Sequence, residues 1–263
     1  MSRFDAAAPT YDAHRGLPGR AVEAIRAAVL GALGAVSRPR LLDLGAGSGR
    51  IGRAFVSAGD DYVGADLSFG MLRQFARRGD TGGRAPRLAQ ADGERLPFAD
   101  ATFDAVLLIQ VFGGLDEWRP FVGEARRVLQ PSGTLVLGRT AMPEDGVDGR
   151  MKERLDAILA DMAVAHEKKN AREHVQRWLG STAGGGGAPV AAAAWDAERT
   201  PRGFLQRHRT GARFSLLPEP IKDEALSRLA TWAVREFGSL DAPSIERHTF
   251  ELRTFTFHQE APR

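Results

Sequence analysis

Leu41-Leu42-Asp43-Leu44-Gly45-Ala46-Gly47-Ser48-Gly49-Arg50 is the stretch that decides the fold. A short, mostly apolar run of strand character enters three glycines at alternate positions, and Ile51-Gly52-Arg53-Ala54-Phe55 then reads as a helix start. In a strand–glycine turn–helix, the absent Cβ atoms let the backbone take positive φ and let a ligand lie against the main chain. The unpaired N–H groups of the helix start face the same spot. A plain βα connection would need glycine for geometry alone, but three alternating glycines exceed that need.

Working outward, Phe4 to Gly16 is irregular, and Pro18 opens a helix with Val22, Ile25, Val29 and Leu33 on one face. After the glycine loop comes a helix to about Ala58, then a strand at Tyr62–Ala65 that ends on Asp66. Asp66 or Ser68 can cap the next helix, through Met71, Leu72 and Phe75. A weaker strand, Arg87–Gln90, closes on Asp92-Gly93, and Phe103–Ile109 is the apolar run expected at the buried centre of a parallel sheet. A helix over Trp118–Leu129, a turn at Gln130–Gly133 and a strand at Thr134–Leu137 follow. This alternation predicts a doubly wound, mostly parallel α/β sheet with ligand sites at the C-terminal strand ends.

The second half reads differently. Glu144–Leu179 is expected to be helical, Ser181–Ala188 a loop, and Val190–Trp195 a sixth strand. A short helix starts at Thr200-Pro201, a longer one spans Ile221–Phe237, and Thr249–Phe257 alternates as a last strand. We divide the chain into 1–140, a cap helix with the cofactor-binding half of the core; 141–188, a mostly helical insertion expected to cap the substrate; and 189–263, which completes the core.

A chain of 263 residues with 43% apolar and 26% charged residues is ordinary for a globular protein, as one large domain or one with an insertion. Cysteine is absent, which removes thiolate mechanisms and suits a reducing, cytoplasmic setting. The N-terminal residues show no apolar signal core, and the longest uncharged run, Trp178–Trp195, is too glycine-rich for a membrane span. A formal net charge of +3 gives no reason to expect nucleic acid as a partner. Oligomeric state is not legible here.

Gly47-Ser48-Gly49-Arg50-Ile51-Gly52 also fits the dinucleotide pattern G-x-G-x-x-G, with Asp66 at a suitable distance for a ribose contact. Three residues shift the balance away from nicotinamide. Asp43, inside the strand, can orient the loop or reach a cationic group; Asp92 can accept from an exocyclic adenine amine; Gln110 offers an amide beside the cleft.

Leu41–Gly49, Val63–Leu72, Asp92–Phe98 with Phe103-Asp104, and Glu124–Gly133, taken in that order, resemble the class I S-adenosylmethionine-dependent methyltransferases, in particular the branch with quinone-ring and other small-molecule enzymes. The resemblance covers roughly Phe4 to Gly138. It implies a Rossmann-like methyltransferase fold with an antiparallel last strand and S-adenosyl-L-methionine as cofactor. It further implies that Gly45, Ala46 and Gly47 approach the methionine part and that Asp66 takes both ribose hydroxyls. Leu67 and Met71 would flank adenine, Asp92 would meet its amine, and Gly93 would permit close approach. Tyr11 and Arg15 would cover the methionine end, Arg15 pairing with its carboxylate. Met71 also fits the core face of a helix, and Tyr11 and Arg15 a solvated one.

Methyl transfer from a sulfonium needs in-line approach and exclusion of water above all. Many relatives carry His soon after the fourth strand, where this chain has Val111-Phe112-Gly113-Gly114. His14, His166, His174 and His208 read as exposed helix or loop residues, so no catalytic base is assigned. The fourth strand is not followed by the Asn/Asp-Pro-Pro-aromatic motif of nucleobase amine methylation. Arg199, Arg202, Arg207, Arg209 and Arg213 could line an acceptor pocket or form a solvated face, and no metal-ligand spacing stands out. The expected activity is methyl transfer to oxygen, nitrogen or carbon of a small molecule. The rivals are a nicotinamide-dependent oxidoreductase, disfavoured because neither Tyr11 nor Tyr62 has lysine four residues on, and a non-catalytic S-adenosylmethionine-binding protein.

Overall fold

Seven strands form one sheet in the order β3-β2-β1-β4-β5-β7-β6. The computed structural model describes residues 4, 5, 8, 9, 11–77, 84–115, 117–164, 171–182, 186–209, 214 and 217–257. The first five strands are β1 (Arg40–Leu44), β2 (Asp61–Asp66), β3 (Arg87–Gln90), β4 (Phe103–Ile109) and β5 (Leu129–Ala141), all parallel to one another. β7 (Ser244–Thr256) runs antiparallel between β5 and β6 (Val190–Arg199), so the expected antiparallel last strand is present. Strand order reverses between β1 and β4, and a crevice opens at such a switch point beyond the C-terminal strand ends. The glycine loop leaves β1 there, and Gln110 follows β4.

Each face of the sheet has its own core. On one face α4 (Trp118–Val128) and α6 (Ala171–Thr182) cover Leu42, Leu44, Val106, Leu108, Leu135 and Leu137. On the other, α1 (Gly19–Ala32), α2 (Gly52–Ala58) and α3 (Phe69–Arg77) bring Ile25, Val29, Phe55 and Phe75 against Leu41, Leu107 and Val136. β4, sandwiched between both layers, is buried at nearly every position, which explains its unbroken apolar sequence. A third cluster joins α5 (Val147–Asp161), α7 (Pro201–Arg209) and α8 (Glu219–Phe237) through Met151, Leu155, Phe204 and Leu229. α5 is tied to the sheet where β5 ends, its Val147 N–H donating to Glu246 Oε1 at 2.6 Å.

Three local readings change. The residues expected as a turn, Gln130–Gly133, lie within β5: Phe103 pairs with Leu129 and Ala105 with Thr134, so these four stand opposite the single residue Asp104, three extra residues in an irregular register. The single helix expected over 144–179 is two, since α5 ends at Asp161 and Ala163 takes φ 52°. β6 extends to Arg199 and β7 starts at Ser244, because β6 and β7 pair with each other along almost their whole length.

Candidate active site

The glycine loop has the backbone its composition requires. Gly45, Gly47 and Gly49 take φ values of 86°, 56° and 74°, a region that L side chains rarely adopt. Their surroundings differ. A Cβ on Gly45 would lie 2.4 Å from Val111 Cγ1, and one on Gly49 would strike the Phe75 ring at 2.4 Å. A Cβ on Gly47 meets nothing nearer than 4.0 Å, so the loop is open at that point. Ala46 is buried beside Gly64, and the N–H groups of Gly45 and Ala46 both donate to Ala65 O.

Asp66, at the end of β2, joins this loop to the next. Its Oδ2 accepts from Gly47 N–H at 2.8 Å, and its Oδ1 from Ser68 N–H at 2.7 Å. Burial raises its pKa against the effect of those two donors. Ser68 caps α3 through Met71 N–H, and Asp5 accepts from Ser68 Oγ at 2.6 Å and Gly70 N–H at 3.0 Å. Asp5 is therefore bound at the start of α3. Leu67 is 53% exposed at the rim, whereas Met71 is buried.

Asp43 is buried below the loop. Its Oδ2 accepts from Tyr62 Oη at 2.7 Å, while its buried Oδ1 has no hydrogen-bond partner among the described residues. Burial raises its pKa to about 7 despite the tyrosine, and Asp66 adds to the rise.

A chain of polar contacts crosses from the loop to the helical layer. Asp12 accepts from Ser48 Oγ at 2.6 Å; Arg50 donates to Gln110 Oε1 at 2.7 Å and to Arg15 O at 2.5 Å. Gln110, at φ 56°, donates from Nε2 to Thr140 Oγ1 at 2.8 Å, so both ends of the amide expected beside the cleft are already engaged. Arg15 lies 4.3 Å over the Tyr11 ring and donates to Arg207 O at 2.5 Å. Arg207 in turn pairs with buried Asp148 in α5. Tyr11 and Arg15 are thus half-buried contacts rather than a solvated face.

Two other expectations land differently. Asp92 is exposed and accepts from Glu94 N–H at 2.9 Å, while the space beside Gly93 is filled by Phe121, 2.3 Å from where a Cβ would stand. His208 is not an exposed residue. It stacks 3.8 Å from Phe204, its buried Nδ1 has no hydrogen-bond partner among the described residues, and burial with nearby Arg207 and Arg15 lowers its pKa to about 4. His174 is exposed; His166, Arg213 and the His14 side chain lie outside the described residues. Arg199 and Arg207 both pair with Asp148, whereas Arg202 and Arg209 pair with exposed carboxylates at Asp241 and Glu219. Among the described residues no cluster of side chains suited to a metal occurs. Asp5, Asp12, Ser48, Arg50 and Thr140 were not singled out from sequence, since each meets its partner across a long separation.

The sequence family described as "Methyltransferase domain" matches residues 42–137, from β1 through the glycine loop to the core of β5. That match covers little more than a third of the chain. Among curated relatives, the demethylmenaquinone methyltransferase of Renibacterium salmoninarum is 34% identical over 146 residues, covering 54% of this chain and 59% of its own. That of Clavibacter sepedonicus is 34% identical over 161 residues, covering 58% and 64%. The chain thus spans about three-fifths of the length of the curated relatives it matches. The YcgJ protein of Bacillus subtilis shares the fold, with a TM-score of 0.57 at 18% identity over 90% of this chain and 99% of its own. Within the matched residues, the open Gly47 and the Asp66 carboxylate lie together at the C-terminal ends of β1 and β2, beside the reversal of strand order.

Proposed function

We propose that this chain is an S-adenosylmethionine-dependent methyltransferase acting on a small molecule. The observation that carries the reading is Asp66: one carboxylate at a strand end orders both the glycine loop and the start of α3 around a single cleft. The residues fit the cofactor. Gly47 leaves the main chain open, Asp66 can accept from ribose hydroxyls with its remaining lone pairs, and the orphaned Asp43 Oδ1 lies under the loop. Gly45, Ala46 and Gly47 would hold the methionine part, Leu67 and Met71 would flank adenine, and Asp92 would accept from its amine. Tyr11, Arg15 and Gln110 would border the methionine end through the Arg50 contacts.

When bound, the cofactor supplies an activated methyl group whose carbon–sulfur bond breaks as the bond to the acceptor forms. The chain's part is to orient the acceptor in line and to exclude water, and orientation alone is worth about 7–11 kcal/mol in favourable cases. We assign the acceptor cap to the 141–188 insertion together with α7 and α8. Among the described residues, no helix is long and apolar enough to cross a membrane. The relatives' names add demethylmenaquinone to the acceptors worth trying.

Incubation with methyl-labelled S-adenosylmethionine and a panel of phenols, naphthols, amines and demethylmenaquinone, read by mass spectrometry, tests the reading. Acceptor-dependent formation of S-adenosylhomocysteine with a methylated product is expected. Cofactor binding with no product from any acceptor would favour the non-catalytic alternative.

A further inference from the structure

Arg172 stands in the first turn of α6, the helix that packs beside the loop after β4. It is half-buried, its guanidinium carbon 5.7 Å from the centre of the Phe112 ring. Its one hydrogen bond recorded among the described residues is a long one, 3.4 Å from Nη2 to Gly138 O. That carbonyl also accepts from Gln110 N–H at 3.0 Å, so the guanidinium lies where β4 and β5 both end. Val111, the residue before Phe112, is the side chain that a Cβ on Gly45 would meet, so the loop after β4 that Arg172 faces also touches the glycine loop.

The position is electrostatically poor for a cation. The first turn of a helix is its positive end. Glu251, whose charge favours the Arg172 cation, is already bound to Arg139 at 2.7 Å, and Arg139 itself repels Arg172. Burial and that repulsion lower the guanidinium pKa to about 10, which still leaves it charged at neutral pH. A desolvated guanidinium with unused donors recovers most by meeting a planar anion, which it can bind with two parallel hydrogen bonds.

Resting on the methyltransferase reading, we propose that Arg172 receives a carboxylate of the acceptor: the substrate class is an anionic, ring-bearing small molecule whose charge docks between α6 and the loop after β4. Arg172 acts here as a specificity-determining residue.

The test is calorimetric titration of the protein saturated with S-adenosylhomocysteine, using matched probes: 3-hydroxy-2-naphthoate against 2-naphthol, and 3-hydroxybenzoate against phenol. The carboxylates are expected to bind at least ~10-fold more tightly than their neutral partners, one charge-assisted pair being enough for that. Arg172→Gln should erase the preference and Arg172→Lys should keep part of it, with affinity for S-adenosylhomocysteine unchanged in both. Equal binding of charged and neutral probes, binding of neither, or a preference that survives Arg172→Gln would overturn the inference. Failure of S-adenosylhomocysteine to bind the unaltered protein would instead strike the cofactor reading, and the inference with it.

Discussion

Asp66 and Asp43 are two carboxylates one strand apart with different work. Asp66 accepts two backbone N–H groups and keeps lone pairs for a ligand, so Asp66→Asn should weaken S-adenosylhomocysteine binding about 10- to 100-fold, the cost of one or two hydrogen bonds to a charged group. Unchanged affinity in a calorimetric titration would remove Asp66 from the site. Asp43 is held protonated by burial, with a pKa near 7 against an unfolded value of about 3.9. The folded state therefore carries an extra proton between those values. Its contribution to stability is fully present below about pH 4, falls as pH rises to about 7 and is flat beyond, a span of at most about 4 kcal/mol. Asp43→Asn should remove that slope, read as the difference between the two proteins' unfolding free energies across pH 4–7. At this scale the sequence displays residues whose role is local: the three glycines and the strand-end Asp66 stand in a short pattern. Arg50 with Gln110, and Asp12 with Ser48, are not legible, because 60 and 36 residues separate the partners and only the folded sheet joins them.

Within the glycine loop, space separates residues that look alike in sequence. Gly49→Ala drives a Cβ into the Phe75 ring at a backbone angle of φ 74°, and should destabilise the protein by about 2–4 kcal/mol. Gly47→Ala meets open space, so its stability cost should be the left-handed backbone alone, about 1–2 kcal/mol, while cofactor affinity falls most. Thermal unfolding and titration of the two variants side by side check this, and a larger affinity loss at Gly49 than at Gly47 would contradict it. The unbroken apolar run of β4 and the helical periodicity of α8 were readable from sequence. The break after α5 was not, since Ala163 enters the left-handed region without the glycine that usually signals it. Nor was the strand character of Gln130–Gly133, where turn-forming residues are accommodated as an excursion between two register-matched segments of β5.

Across the whole molecule, alternation of strands and helices over the first half is enough to imply a doubly wound sheet, and the switch between β1 and β4 marks the candidate site. The helical layer is less legible. α5, α7 and α8 share one core although β6 comes between them in the chain, while α6 joins α4 on the sheet. Such a grouping depends on long-range packing that no local window contains. Through Arg15 and Arg207 this layer is linked to the N-terminal segment, so the cleft is bordered by residues from both ends of the chain. The most direct measurement of what that cleft holds is parallel calorimetric titration with S-adenosylmethionine, S-adenosylhomocysteine and NADH. Micromolar binding of both sulfur compounds with none of NADH is the predicted result; binding of NADH alone would contradict it and return the glycine loop to dinucleotide recognition.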